Sequence, residues 1–175
     1  YKWLRLILML AVEVMESEPN TAQDVVFLLE EFAALGRVSI IERCAALMPG
    51  FGMKLWFILQ DLSQIRALYP QSWETLLDSC GTIQAFGNAG ETTLKWLSAR
   101  LGDVDVFDLK HTGGGSAAAR SGAFYQENIR RLPLMPPEEI RLTFARNSPD
   151  RLMLLLRKDH KPAQVSRLPF GWVPK

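Results

Sequence analysis

An uninterrupted apolar run that ends in two adjacent carboxylates constrains this 175-residue chain more than any other feature. The run extends from Val25 to Leu29 and is followed at once by Glu30 and Glu31. Such a run predicts a strand that is buried on both faces of a parallel sheet. Because open α/β sheets bind ligands beyond the carboxyl ends of their strands, the two glutamates are predicted to lie at a binding crevice. The alternative is a strand that ends in two solvated acids.

The same pattern is typical of the Walker B strand of P-loop ATPases. There the first carboxylate helps to hold magnesium on the nucleotide, and the second polarises the attacking water. The segment 54–59 is predicted to form a second buried strand, with Gln60 at its carboxyl end. A glutamine amide can sense a terminal phosphate or orient a water, since it carries both a donor and an acceptor. The alternative for Gln60 is a cap on the strand end.

The order of predicted elements indicates an α/β fold. The predicted helices are 1–15, 40–48 after a Ser39–Glu42 capping box, 62–68, 72–80, 92–101 ended by Gly102, and one that begins at Pro136. The predicted strands are 25–29, 54–59, 82–86, 104–107 and 152–156. Strands separated by helices predict a mostly parallel sheet flanked by helices. Trp56, Trp73 and Trp96 are expected in the core because their neighbours are apolar.

Charge is distributed unevenly along the chain. Residues 1–109 contain 8 Lys/Arg against 14 Asp/Glu, a net charge of −6, whereas residues 110–175 contain 12 against 5, a net charge of +7. Within the basic part, 111–122 is predicted to be a glycine-rich flexible loop and 162–175 a docked or frayed tail. The basic part predicts weak, non-specific DNA contact; solvated surface charge is the alternative.

Short blocks over most of residues 1–160 carry a resemblance to a known family. They are LLEEFAALGR (28–37), GFGMKLW (50–56), LQDLSQI (59–65), FGN (86–88), TTL (92–94), LSARLG (97–102) and, more loosely, LMPPEEI (134–140). These blocks resemble the conjugative DNA-transfer family, the coupling-protein ATPases of type IV secretion systems. The stretch from 28 to 102 is the specific part of the match.

The resemblance implies a RecA-like motor of the P-loop NTPase type, typically hexameric, at the cytoplasmic face of the bacterial inner membrane. Such a motor uses ATP and Mg²⁺ to deliver DNA or protein substrates to the secretion channel, together with inner-membrane components of the system. By matching position, Glu30 stands at the magnesium-linked Walker B aspartate. Glu31 stands at the catalytic glutamate, and Gln60 at the phosphate-sensing glutamine.

The resemblance covers only part of such a motor. The family's membrane anchor, Walker A loop and all-helical domain precede the matched blocks, and the chain, which begins with tyrosine, is expected to be a fragment. Residues 1–175 are therefore predicted to be the C-terminal portion of a RecA-like ATPase domain. Within it, 1–109 would be the Walker B and sensor core, and 110–175 the glycine-rich loop and basic C-terminal part.

Three departures from the family pattern bear on activity. The sequence contains no G-x-x-x-x-G-K-[ST] loop, so the isolated chain is expected not to hydrolyse ATP. Glu30 replaces an aspartate, which lengthens the carboxylate arm by one methylene. Pro49 stands where some relatives carry an arginine that reaches the neighbouring subunit's nucleotide.

Two other functions remain open at this point. The chain could be a non-hydrolysing adaptor or a degenerate paralogue that docks a partner subunit. It could also belong to an unrelated P-loop DNA translocase of the cell-division type, although the 50–102 block matches the secretion family better.

Overall fold

A computed structural model describes residues 2–17, 24–47, 52–111 and 125–169. Its helices are α1 (Lys2–Ser17), α2 (Ser39–Leu47), α3 (Leu62–Leu68), α4 (Trp73–Ser79), α5 (Glu91–Leu101) and α6 (Pro137–Thr143), with a short 3-10 helix at Phe32–Leu35. Its strands are β1 (Val25–Leu29), β2 (Met53–Phe57), β3 (Thr82–Ala85), β4 (Asp103–His111), β5 (Tyr125–Pro133), β6 (Leu152–Arg157) and β7 (Ala163–Ser166).

The first two strands form the predicted parallel pair. β1 and β2 run in register from Val25 opposite Met53 to Leu29 opposite Phe57, with α2 in the crossover between them. A parallel pair needs such a crossover because the carboxyl end of the first strand and the amino end of the second lie at opposite edges of the sheet. The β-α-β unit predicted from the sequence is confirmed.

Within the described residues, apolar side chains cover only one face of this parallel pair. Phe27 and Phe57 pack against the core, whereas Leu28 is 57% exposed and Trp56 is 54% exposed on the other face. The prediction that β1 is buried on both faces is therefore not met in this part of the chain, and the core position expected for Trp56 is wrong. Successive side chains of a strand point to opposite faces, so Trp56 cannot share the face of Phe57.

The remaining pairings are antiparallel. β6 lies between β3 and β7, and β4 pairs with β5 as a long ribbon. The α/β class is confirmed, but among the described strands the parallel part is limited to β1 and β2. β4 follows the predicted position and is longer, whereas β5 and β7 were not predicted. β7 lies inside the segment expected to be a tail.

Two separate apolar cores support these sheets. The first contains eleven buried residues from α1, the β1–β2 region and α2 to α4: Leu8, Val12, Phe32, Leu35, Val38, Ile40, Ile41, Met53, Ile65, Tyr69 and Leu76. The second contains Ala85, Leu94, Leu97, Ile140, Phe144 and Leu154, from β3, α5, β6 and the α6 region. Polar contacts join the two parts, namely Asp61 with Thr93 and Asp78 with Arg100.

The first helix contributes only one stripe to the core. Leu8 and Val12 of α1 are buried, whereas Trp3 is 79% exposed and Ile7 is 60% exposed. Among the described helices, none has the length and apolarity needed to cross a membrane.

Several predicted helix ends hold, and one differs in its contacts. Gly102 ends α5 with a positive φ of 81°, as predicted, and α6 begins at Pro137, one residue after the predicted start at Pro136. Glu42, which the capping-box pattern assigns to the backbone of Ser39, instead accepts hydrogen bonds from Arg37 (3.2 Å) and from Ser72. Most of the predicted glycine-rich loop, Pro49 and residues 170–175 lie outside the described residues.

Candidate functional site

The carboxyl edge of the β1–β2 pair carries the predicted site residues. Leu29 and Phe57 are register partners at the ends of the two strands, and the Ile58 amide donates to the Leu29 carbonyl at 3.1 Å. Glu30 follows β1 directly, while Gln60 follows β2 after two further residues. Because the strands are parallel, both connections leave the sheet at the same edge. The structure therefore brings Glu30, Glu31 and Gln60 to one edge, and all three side chains are exposed.

Glu31 occupies an uncommon backbone conformation. Its φ of 52° and ψ of 42° lie in the left-handed region, immediately before the 3-10 helix. A residue with a Cβ adopts this region at a cost of about 1 to 2 kcal/mol. The turn therefore holds Glu31 in a conformation that glycine would adopt more easily.

An open depression of about 390 Å³ lies beside the two glutamates. Of the described residues, Leu4, Glu30, Glu31, Ala34 and Leu35 line it, whereas Gln60 lies at the same sheet edge outside it. Leu4 belongs to α1, so the first helix forms part of its wall. The depression is large enough for a small polar ligand, and it presents two carboxylates to solvent.

An aromatic group anchors the turn that contains the glutamates. The fully buried Phe32 packs on Phe57 of β2, with ring centroids 4.8 Å apart, and stacks on Tyr69 at 6.0 Å. The Tyr69 hydroxyl accepts a hydrogen bond from the Val38 amide at 3.0 Å and can donate to the Val38 carbonyl at 3.3 Å. Burial raises the pKa of Tyr69, so this group stays a neutral donor near pH 7. Packing of Phe32 on Phe57 and Tyr69 therefore holds the turn that contains Glu31.

A polar network lies immediately after Gln60. Asp61 is the N-cap of α3 and accepts from the Ser63 amide at 2.7 Å. The Thr93 hydroxyl donates to Asp61 Oδ2 at 2.7 Å and accepts from the Leu62 amide at 2.9 Å. Thr93 is only 4% exposed, so the network is protected from water on the α5 side.

The carboxylate of Asp61 is held in its ionised form. Partial burial opposes ionisation, but hydrogen bonds from Ser63 and Thr93 outweigh it and lower the pKa of Asp61 below its ordinary value. Hydrogen bonds donated to a carboxylate favour the charged form in this way.

The donor set at the edge suits magnesium held jointly with a nucleotide. Among the described residues, no group of three or more His, Cys, Asp or Glu side chains is arranged to hold a metal by itself. Magnesium is usually held by one or two carboxylates together with substrate phosphates, and the exposed carboxylate of Glu30 fits such shared coordination.

The polar network was missed by sequence reasoning. Asp61, two residues before Ser63, is a readable N-cap signal at the start of a predicted helix. Its second partner, Thr93, lies 32 residues further along the chain, and no spacing rule connects the two positions.

Comparison with known proteins gives a consistent family. A family model described as "TraM recognition site of TraD and TraG" matches residues 24–143. VirD4 of Agrobacterium fabrum is 25% identical over 175 residues, which is 95% of this chain and 25% of that protein. A conjugal transfer protein TraG of Escherichia coli is 30% identical over 119 residues, which is 64% of this chain and 18% of that protein.

Solved structures of the conjugative coupling protein TrwB share the fold. An unbound form superposes with a TM-score of 0.66 at 18% identity and covers 94% of this chain and 35% of the TrwB chain. Other TrwB structures contain a non-hydrolysable ATP analogue (TM-score 0.65) or ADP and Mg²⁺ (TM-score 0.59). The RecA-like fold class predicted from the sequence is thereby confirmed.

The chain spans about a quarter of the VirD4 protein and about a third of the TrwB structures it matches. Within that length, the family match covers most of the chain and includes β1, β2 and the edge that carries Glu30, Glu31 and Gln60. The chain therefore belongs to the TraG/TraD family, the coupling proteins of type IV secretion systems.

Proposed function

We propose that this chain supplies the Walker B and sensor edge of an ATP-hydrolysing coupling-protein motor. The observation that carries the proposal is the parallel register of β1 and β2, which brings the two glutamates and Gln60 to one sheet edge. Ligand sites of open α/β sheets lie at this edge, which supports a nucleotide site here. The phosphate cradle would have to come from outside these 175 residues, because no Walker A sequence is among them.

The three site residues receive separate roles. Glu31 would accept the proton of the attacking water, and the tight turn anchored by Phe32 supports a fixed backbone position for this exposed residue. Glu30 would contact Mg²⁺ on the nucleotide, and the Gln60 amide would sense the terminal phosphate. Mg²⁺, when bound, would neutralise charge that develops on the phosphates.

The wider role follows from the family. We propose that residues 1–175 form the C-terminal portion of a RecA-like ATPase domain, with 1–109 as the Walker B and sensor core and 110–175 as the basic part. The whole protein would act as a hexamer at the cytoplasmic face of the bacterial inner membrane, with its anchor outside these residues. Its partners would be inner-membrane secretion components, DNA or protein cargo, and a TraM-type protein that contacts residues 24–143, as the family description names.

Measuring Mg²⁺-dependent ATP turnover of the full-length protein tests this function. We expect Glu31→Gln to abolish turnover while ATP binding is retained, and Glu30→Ala to weaken Mg²⁺-dependent ATP binding. Glu139→Gln is a matched control, because Glu139 is exposed on α6, away from the sheet edge. We expect this control to keep wild-type turnover.

Two results of the same measurements would contradict the proposal. A full-length protein that binds its secretion partners but neither binds nor hydrolyses ATP would favour the non-hydrolysing adaptor. Turnover that survives Glu31→Gln would remove the catalytic role from the β1 edge.

A further inference from the structure

We propose that Asp61 and Thr93 form a positioning pair that fixes Gln60 at the sheet edge and thereby controls the rate of hydrolysis. The inference rests on the proposed function, because it concerns how the sensor residue of that site is held. It adds two residues from different helices to a site that the sequence assigns to Glu30, Glu31 and Gln60.

The backbone of Gln60 lies between two closely spaced anchors. On one side, the Ile58 amide is bonded to the Leu29 carbonyl at 3.1 Å and continues the sheet ladder beyond β2. On the other side, Asp61 is fixed as the N-cap of α3 by its bond to Ser63 at 2.7 Å. Only Leu59 and Gln60 lie between the anchors, so a displacement of Asp61 is transmitted directly to Gln60.

A third contact restrains the same backbone. The backbone amide of Gln60 donates a hydrogen bond to Gln64 Oε1 at 3.2 Å. A residue in the first turn of α3 therefore also restrains the main chain of Gln60. The Gln60 side chain itself is exposed and faces no described hydrogen-bond partner. The structure thus fixes the main chain of Gln60, while the side-chain amide of Gln60 remains accessible to a ligand.

The second carboxylate oxygen of Asp61 does more than a helix cap requires. A cap needs only the bond to the Ser63 amide, but Oδ2 also accepts the Thr93 hydroxyl from α5. The Thr93 hydroxyl in turn accepts a hydrogen bond from the Leu62 amide. Asp61, Leu62 and Thr93 therefore form a closed ring of bonds between α3 and α5. The buried position of Thr93 shields its end of this ring from water, which would otherwise compete for the hydrogen bonds.

The start of α5 is shaped to receive this carboxylate. A Cβ on Gly90, the N-cap of α5, would lie 1.7 Å from Asp61 Oδ2 and 2.6 Å from its Cγ. The absence of a side chain at residue 90 therefore allows the close approach that the bond between Asp61 and Thr93 needs. Gly90 and Thr93 together place the start of α5 against Asp61, the residue that follows Gln60.

Steady-state kinetics of the full-length protein test the proposal. Thr93→Val removes the hydroxyl with little change of shape, Thr93→Ser retains it, and Thr92→Val is the matched control one residue away on α5. We expect Thr93→Val to lower kcat about tenfold or more, since misplacement of a reacting group by about 1 Å costs up to about 100-fold. We expect KM for ATP to change by less than about twofold, and Thr93→Ser and Thr92→Val to stay near wild type.

A double-mutant cycle with Gln60→Ala separates positioning from simple loss of stability. If Thr93 acts through Gln60, Thr93→Val should lower kcat no further once the amide is gone. Circular dichroism at the assay temperature checks that each variant is folded. Should Thr93→Val fail to fold, Asp61→Ser takes its place, because Ser is also a good N-cap but has no second side-chain oxygen to accept from the Thr93 hydroxyl.

The outcomes distinguish this inference from the proposed function. Multiplicative loss of kcat in the Thr93→Val, Gln60→Ala double variant would overturn the positioning role. An unchanged kcat in Thr93→Val, beside an inactive Glu31→Gln, would overturn the inference while leaving the proposed function intact. A wild type whose turnover does not depend on Glu31 would reject the proposed function and this inference with it.

Discussion

Gly90→Ala should destabilise the chain only while residue 61 is aspartate. The added Cβ would lie 1.7 Å from Asp61 Oδ2, and the short side chain of Asp61 can escape by rotation. Rotation breaks the cap to Ser63, at a cost of about 1 kcal/mol, and the bond from Thr93 to a charged group, at a cost of about 1.5 to 3 kcal/mol.

A smaller, opposite effect acts on the unfolded chain. The backbone of Gly90, with φ −69° and ψ 129°, is one that alanine adopts without strain. Replacing glycine by alanine at such a position stabilises by about 0.4 to 1 kcal/mol because the unfolded chain loses freedom. The net expectation for Gly90→Ala is a loss of about 1.5 to 3.5 kcal/mol in the free energy of unfolding.

The effect should nearly vanish in an Asp61→Ala background. The hydrogen bonds are already absent there, so two small opposing effects remain: the gain from the unfolded chain and the poorer capping of α5 by alanine. Gly90→Ala should then change the free energy of unfolding by less than about 1 kcal/mol. Gly81→Ala is the matched control, because no atom lies within 4 Å of its added Cβ. It should give the same small stabilisation in both backgrounds.

Urea unfolding of the five variants and the wild type, followed by tryptophan fluorescence, measures these differences. The slope of free energy against urea should stay constant, which shows that the midpoints report stability. Equal effects of Gly90→Ala in the two backgrounds would refute the view that Asp61 is the group pressed against α5.

Three further predictions concern other parts of the chain. Glu31→Gly should have a free energy of unfolding about 0.5 to 1 kcal/mol higher than Glu31→Ala, because glycine adopts the left-handed backbone more easily. Both variants should lack turnover. Equal urea midpoints for the two variants would contradict the stability prediction. The lowered pKa of Asp61 means that its stabilisation is present above the ordinary aspartate pKa and is lost as pH falls through the lower folded value. The stability difference between wild type and Asp61→Asn should therefore be constant above about pH 5 and shrink below about pH 4, which urea midpoints across that range will show. DNA binding by the basic 110–175 part should be micromolar or weaker and fall steeply with salt, with Lys161→Glu weakening it and Lys95→Glu not; tight, salt-insensitive binding in a fluorescence titration would contradict this.

The parallel core of the fold is readable from the sequence. β1 is a continuous apolar run followed directly by Glu30, and β2, which is apolar apart from Lys54, is followed by Ile58, Leu59 and then Gln60. Their pairing needs no information beyond an intervening helix. For this reason Glu30, Glu31 and Gln60 could be assigned to one sheet edge without coordinates.

Other features depend on contacts that local sequence does not encode. β5, whose sequence is YQENIRRLP, lacks apolar alternation, and its pairing with β4 determines its conformation. Glu42 has the spacing of a capping box, yet Arg37 and Ser72 compete successfully for its carboxylate. The contact of Asp61 with Thr93 likewise arises only when two distant helices meet.

The division of the chain into two apolar cores has a consequence for its local dynamics. The boundary between the cores contains Asp61 with Thr93 and Asp78 with Arg100, so charge and hydrogen bonding hold it. Such contacts weaken as water or salt enters, whereas each core keeps its own apolar packing. Native-state amide hydrogen exchange should therefore resolve two groups of slowly exchanging amides, one from each core, with separate opening free energies. Opening along this boundary would release α5 from α3 without unfolding either half.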